Sequence, residues 1–238
     1  MRRANLVAGV VAAVGALGAC DRQPPSAELF PLEPGHRWTY RQTLELDDGS
    51  REVTKLELST LPSEPYEGAT AWRRRSADGN DWWLRRDASG IYRVAAKHDQ
   101  QAEPQPDAQP RYVLKEPLAA GTEWPAPTLP YLLKRRQGFP PELRHDHPSV
   151  PMRYAIAALD ETVTVPAGRW ERCLRVRGEA AVRLYADGMS GWKDVPLVTT
   201  EWYCPGPGLV KLERNETVSS PFLTGGRLTL ELQAWRTP

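Results

Sequence analysis

TTEWYCPGPGLVKLER, residues Thr199–Arg214, reads as strand, tight turn and strand. Thr199–Tyr203 is short, β-branched and aromatic. Pro205-Gly206-Pro207-Gly208 cannot continue a strand and reverses the chain. Leu209–Arg214 then alternates, with Val210 and Leu212 on one face and Lys211 and Glu213 on the other. Cys204 sits where the first strand meets the turn.

The same grammar extends outward in both directions. Met152–Ala158 and Glu161–Val165 read as strands, and Pro166-Ala167-Gly168 as a type I turn ending in a left-handed glycine. Trp170–Gly178 returns, with Trp170, Leu174 and Val176 on one face and Glu171, Cys173, Arg175 and Arg177 on the other. Ala181–Tyr185, an Asp187–Trp192 turn and a last strand over Arg227–Trp235 complete an antiparallel run. Further upstream, Trp38, Tyr40, Gln42, Leu44 and Leu46 share a period of two. Asp47-Asp48-Gly49-Ser50 then turns the chain into Arg51–Leu61. Strands over Ala69–Arg75, Asp81–Arg86 and Ile91–Ala96, joined by short Asp/Gly turns, form a meander whose members pair with their sequence neighbours. The chain is therefore mainly β with little helix.

Two stretches resist this pattern. Residues 97–110 (KHDQQAEPQPDAQP) have no apolar face and read as a loop. Residues 125–151 hold seven prolines and read as a surface excursion with one short helical turn near Tyr131–Arg136, because proline removes a donor and restricts its predecessor. Between them, Pro-Leu-x-x-Gly-x-x-Trp at Pro117–Trp124 repeats the spacing of Pro31–Trp38. That echo marks either two related sheet halves or one turn type used twice.

The 238 residues carry 31 Lys+Arg against 30 Asp+Glu, so no basic field argues for a nucleic-acid partner. The first nineteen residues differ in kind: Arg2 and Arg3 precede an apolar Leu6–Leu17 too short to span a bilayer comfortably. Leu17-Gly18-Ala19-Cys20 resembles the lipobox of bacterial lipoproteins, in which the cysteine thiol is acylated and becomes the mature N-terminus. The resemblance implies a signal peptide over 1–19 and a triacyl anchor on Cys20, which holds where a single chain binds only marginally. The protein would then face the periplasm from a membrane; Asp21 does not choose between inner and outer. Residues 20–29 read as a flexible tether and 30–238 as one antiparallel β domain.

Setting Cys20 aside leaves Cys173 and Cys204 in an oxidising compartment. They form either a disulfide or two buried thiols on strands that never meet. A bridge would close a loop of about 30 residues, for which the chain-entropy model gives roughly 3–4 kcal/mol.

Val165-Pro166-Ala167-Gly168 with its aromatic and Cys-x-x-Val-type strand, Trp202-Tyr203-x-Pro-Gly-x-Gly-Leu-Val-Lys211, and the two Pro-Leu-x-x-Gly-x-x-Trp openings together resemble uncharacterised bacterial envelope lipoproteins of the TapB-like type. The resemblance covers residues 30–235 except 97–115 and 125–151, and its motifs are turns rather than chemistry. It implies a curved antiparallel sheet or incomplete β-barrel, similar in general shape to periplasmic lipoprotein carriers and lipid-binding lipoproteins. It implies no catalytic residue. Cys204 departs from the alanine common at its position, which favours the bridge to Cys173.

No Gly-x-Ser-x-Gly, His-Glu-x-x-His or phosphate-binding loop occurs, and periodicity places no two carboxylates together, so no cofactor is expected and glycan hydrolysis has no specific support. His145-Asp146-His147 presents two imidazoles without evident further ligands, and reads as solvated loop rather than metal site. Arg73-Arg74-Arg75 and Arg85-Arg86 read as a solvated convex face, or as contacts to anionic head groups or cell-wall polymers. The nine tryptophans either fill the core of a curved sheet or include a subset that touches ligand. Trp82 and Trp83 are adjacent on a strand and must point to opposite faces, so one of them leaves the main core face. Trp82, Trp83 and Trp202 are the candidates for ligand contact. The function expected is a non-catalytic envelope lipoprotein binding a lipid, peptide or envelope protein on a concave Trp-rich face. The alternative is an assembly lipoprotein with no small ligand.

Overall fold

The computed structural model describes residues 26–137, 140–187 and 191–238. The expected signal peptide, Cys20 and most of the expected tether lie outside the described residues, as does part of the Asp187–Trp192 turn.

Among the described residues, thirteen strands form one antiparallel sheet. Its first half is a meander: β1 (Arg37–Leu46), β2 (Arg51–Thr60), β4 (Ala69–Ser76), β5 (Asp81–Asp87), β6 (Gly90–Lys97) and β7 (Gln105–Lys115), with a short β3 (Glu64–Tyr66) folded back on β4. Its second half is β8 (Glu123–Thr128), β10 (Val150–Val165), β11 (Gly168–Asp187), β12 (Gly191–Cys204), β13 (Gly208–Asn215) and β15 (Gly226–Arg236). The last strand, β15, pairs with both β13 and β1 and so joins the halves, giving the order β7-β6-β5-β4-β2-β1-β15-β13-β12-β11-β10-β8. A separate two-stranded ribbon joins β9 (Lys134–Arg135) to β14 (Leu223–Thr224).

The two ends of this sheet meet but do not pair. At the seam Trp124 of β8 donates its indole N–H to the carbonyl of Tyr112 in β7 at 3.2 Å. Prolines explain why the ladder stops there. Pro127 lies opposite Pro151 and Pro125 opposite Arg153 in the β8–β10 pair. Two prolines cannot exchange N–H···O bonds, so these are the non-bonded positions of that pair, and the nitrogens of Pro125 and Pro127 face the seam with no donor. Pro106 and Pro110 interrupt β7 in the same way. The result is a nearly closed barrel, the incomplete β-barrel expected.

Apolar side chains fill it in separate clusters. Leu84, Ile91, Leu114, Trp124, Ile156, Leu174 and Tyr203 meet Leu29, Phe30 and Leu32 of the entering chain. Both Pro-Leu-x-x-Gly-x-x-Trp openings place a left-handed glycine (Gly35 at φ 96°, Gly121 at φ 87°) before a tryptophan 2 % exposed. A second cluster lies where the segment around Leu133, Leu143 and Leu223 covers the outer halves of β11 and β12. A third gathers Trp38, Tyr40, Val163, Val165, Val210 and Leu232 around a disulfide between Cys173 and Cys204, which face each other across β11 and β12.

Several expectations need correction. Residues 105–110 are not loop: they open β7 at the sheet edge, with Gln105 and Pro106 opposite Ala96 and Ala95 of β6 before the register shifts to pair Arg111 with Arg93. The stretch 125–151 is not a free excursion. It contains most of β8, all of β9 and a 3₁₀ turn at Leu143–His145 rather than at Tyr131–Arg136. Its anchor is Glu216, fully buried, whose carboxylate accepts the backbone N–H groups of Tyr131 (2.9 Å), Leu132 (2.8 Å) and Leu133 (3.2 Å) and the Arg214 Nε–H (2.7 Å). The end of the tether, Ser26–Leu29, is a helical turn whose Leu29 is buried, because apolar Leu29, Phe30 and Leu32 complete the interior. Finally, Trp170 does not share a face with Leu174. A bulge at Arg172 (φ 56°) inserts one residue and brings Trp170 to the cluster of Cys173.

Candidate functional site

A pocket of about 270 Å³ opens into the barrel between the entering chain and strands of the first half. Its walls are apolar: Phe30, Leu58, Trp82, Leu84, Tyr112 and Leu209. Three guanidinium groups, of Arg74, Arg93 and Arg111, interrupt them, and no carboxylate lines the pocket.

Pairing explains how these groups converge. Arg74 of β4 lies opposite Trp82 of β5, and residues directly opposite share a face. Arg74 is the middle member of Arg73-Arg74-Arg75, so the period of two turns it inward while its neighbours turn out. It is 8 % exposed, which corrects the solvated-face expectation for that residue. Its guanidinium carbon is 4.2 Å from the centroid of Phe30 and 4.3 Å from that of Trp38. Its Nη2 donates to the Pro31 carbonyl at 2.6 Å, while its Nε is buried with no partner. Burial lowers its pKa to about 10, so it remains a cation at neutral pH.

On the next strands, Arg93 of β6 lies opposite Arg111 of β7. Arg93 is held by Asp107 through two hydrogen bonds, Nε to Oδ2 at 2.7 Å and Nη2 to Oδ1 at 2.6 Å. Among the described residues Arg111 makes no side-chain hydrogen bond or ion pair. Arg111 also lines a second groove of about 320 Å³ in the proline-rich seam, between Asp107–Arg111 and Pro125–Pro127. Two other concavities, of about 600 and 670 Å³, are shallower in chemistry: one lies along Thr217–Pro221, the other beside Arg75 and Asp81, which satisfy each other.

Of the three candidate tryptophans, the structure brings Trp82 to the pocket and leaves the others elsewhere. Trp83 points out of the barrel and is covered by β3: its indole N–H donates to Glu64 at 2.6 Å, and its ring centroid lies 5.8 Å from that of Tyr66. Trp202 flanks the disulfide cluster and donates to Glu161 at 2.9 Å, pinning the bulged part of β10. His145 lies 4.0 Å from Glu142 on the surface, and the described residues contain no group of three or more His, Cys, Asp or Glu side chains placed to hold a metal.

Deeper in the barrel, Glu201 accepts a hydrogen bond from the Tyr203 hydroxyl. Burial pushes its carboxyl above the usual range, against the lowering effect of that bond and of Arg111 and Arg214. A raised folded-state pKa means the folded protein holds this proton more tightly than the unfolded chain does. The stabilisation is full below the unfolded carboxylate pKa, about 4.3, and is lost as pH rises through the folded value. Glu201→Gln, which cannot ionise, is therefore expected to unfold at a higher temperature than the wild type at pH 8, with the gap narrowing toward pH 4. A gap that is the same at both ends of that range would contradict the assignment.

No protein-family model and no curated protein matches the chain. No described helix is long and apolar enough to cross a membrane. Among solved structures the chain is similar to a "putative lipoprotein" from Parabacteroides distasonis, at 15% identity and a TM-score of 0.42 over 87% of this chain and 98% of that one. It is also similar to a "putative exported protein with YmcC-like fold" from Bacteroides fragilis, at 15% identity and a TM-score of 0.37 over 87% and 98%.

Proposed function

We propose that the protein is a non-catalytic lipoprotein of the bacterial envelope, tethered through Cys20 and facing the periplasm, that binds the apolar chain of a lipid in the barrel pocket. The leader ending in Leu17-Gly18-Ala19-Cys20 and the TapB-like turn motifs support the address. The pocket carries the activity: an apolar cavity opening inside a barrel whose seam is kept unpaired by proline. Trp82 is the wall residue that reports on it. Adding a bromo-alkyl chain to the full protein, purified without detergent, is expected to quench tryptophan emission, and Trp82→Phe is expected to lose most of that quenching. Equal quenching in the variant would place the chain elsewhere and end this reading.

A second reading, an assembly lipoprotein without a small ligand, is favoured by one observation. The interior is largely filled by its own side chains, and about 270 Å³ falls just below the range of roughly 300–1,000 Å³ for small-molecule sites. It predicts no quenching in either protein.

A further inference from the structure

We infer that the ligand is an anionic amphiphile, one alkyl chain ending in a carboxylate or phosphate monoester, whose head group sits on Arg111 at the seam while the chain fills the pocket beside Trp82. The inference rests on the pocket reading above and adds the chemical class of the ligand.

Charge is the first argument. Three guanidinium groups line a mostly apolar cavity and no carboxylate does. Asp107, just outside it, spends both oxygens on Arg93. Arg74 is buried against Phe30 and Trp38 without a carboxylate partner. A buried cation is costly unless something negative compensates it. Glu201 acts on Arg111 and Glu33 on Arg74 through space, but Asp107 is the one acid hydrogen-bonded to any of the three guanidinium groups among the described residues.

Pairing is the second. Arg93 and Arg111 stand directly opposite on neighbouring strands, an arrangement in which like charges repel. Asp107 relieves one of them, and Arg111, which makes no side-chain hydrogen bond or ion pair among the described residues, can take an anion. A guanidinium offers parallel N–H donors that match carboxylate and phosphate oxygens alike.

Position is the third. Arg111 is the residue common to the apolar pocket and the seam groove. An acid group on it faces the seam, where prolines leave no ladder to close over it, and the chain attached to that group points into the barrel. The apolar walls then exclude water from the chain, and the head group stays at the edge.

The test uses the full protein, loaded with the neutral fluorescent probe N-phenylnaphthylamine and challenged with decanoate, decyl phosphate, decanol and inorganic phosphate. Decanoate or decyl phosphate is expected to displace the probe at a concentration at least tenfold below that of decanol, and the better of the two names the acid. Arg111→Gln is expected to abolish the advantage of the acid while leaving decanol unchanged, and Arg111→Lys to restore part of it. Equal potency of acids and alcohol would overturn the inference and leave the pocket reading standing. Probe that binds but is displaced by no chain, or that never binds, would overturn the pocket reading itself. Displacement by inorganic phosphate alone would make the site one for a free anion, and would also overturn the inference. Thermal unfolding of each variant, expected within a few degrees of wild type because Arg111 makes no side-chain hydrogen bond or ion pair among the described residues, separates lost binding from lost fold.

Discussion

Replacing Cys173 and Cys204 together by alanine is expected to lower the unfolding midpoint by about 10 °C. The two residues are 31 positions apart, and a loop of that size is worth roughly 3–4 kcal/mol in the chain-entropy account. For a chain of about 150–250 residues, each kcal/mol moves the midpoint by roughly 2–4 °C. Both cysteines are fully buried within the cluster of Trp38, Val210 and Leu232, so alanine also removes packed sulfur from a close-fitting core. Thermal unfolding followed by circular dichroism, oxidised wild type against the double variant, measures the effect directly. A midpoint within 2 °C of wild type would mean the bridge joins strands that the surrounding packing already holds.

Glu216→Gln is the second large effect. The carboxylate receives donors only: three successive backbone N–H groups and the Arg214 guanidinium. Arg214 in turn donates to the Thr199 hydroxyl at 2.7 Å and the Leu129 carbonyl at 2.9 Å. An amide in place of Glu216 leaves the buried guanidinium uncompensated and turns an NH₂ toward donors. Removing one partner of a buried pair costs about 3–5 kcal/mol. Amide hydrogen exchange is expected to speed up first at Tyr131, Leu132 and Leu133, since their acceptor is the altered group. The double variant Arg214→Met, Glu216→Leu is expected to recover part of the lost stability, because an apolar pair leaves no charge stranded. Exchange that stays slow at residues 131–133 in Glu216→Gln would show that the 125–151 segment is held by its apolar contacts instead.

These two sites differ in how they could be read beforehand. The disulfide was open to simple arithmetic, since the lipobox resemblance sets Cys20 aside and the remaining two cysteines read as lying in a strand and at a strand end. Glu216 was invisible, because the backbone N–H groups it accepts lie 83 to 85 positions away and its near neighbour Arg214 reads like any other strand arginine. The pocket stood between these cases. That Trp82 and Trp83 face apart follows from adjacency alone. The same rule, applied to Arg73-Arg74-Arg75, turns the middle arginine away from its neighbours, yet a run of three cations reads first as solvated surface. Alternation shows that Arg74 faces the other side. Only the fold shows that this side is the interior, with Phe30 and Trp38 waiting there.

The sequence by itself determined the hairpins of the meander and of the Cys173–Cys204 half, with their turns and antiparallel neighbours, because these depend on alternation, proline and glycine over a few residues. The proline-rich strands β7, β8 and β9 carry no such alternation and are not legible in it. Tertiary structure alone decided where β15 joins the halves, where a bulge at Arg172 reverses a face, and which arginines end up inside. Burial and closure are set by pairings between residues far apart in the chain. One inserted residue in a strand exchanges its inside for its outside, and no local pattern records which way the sheet will curl.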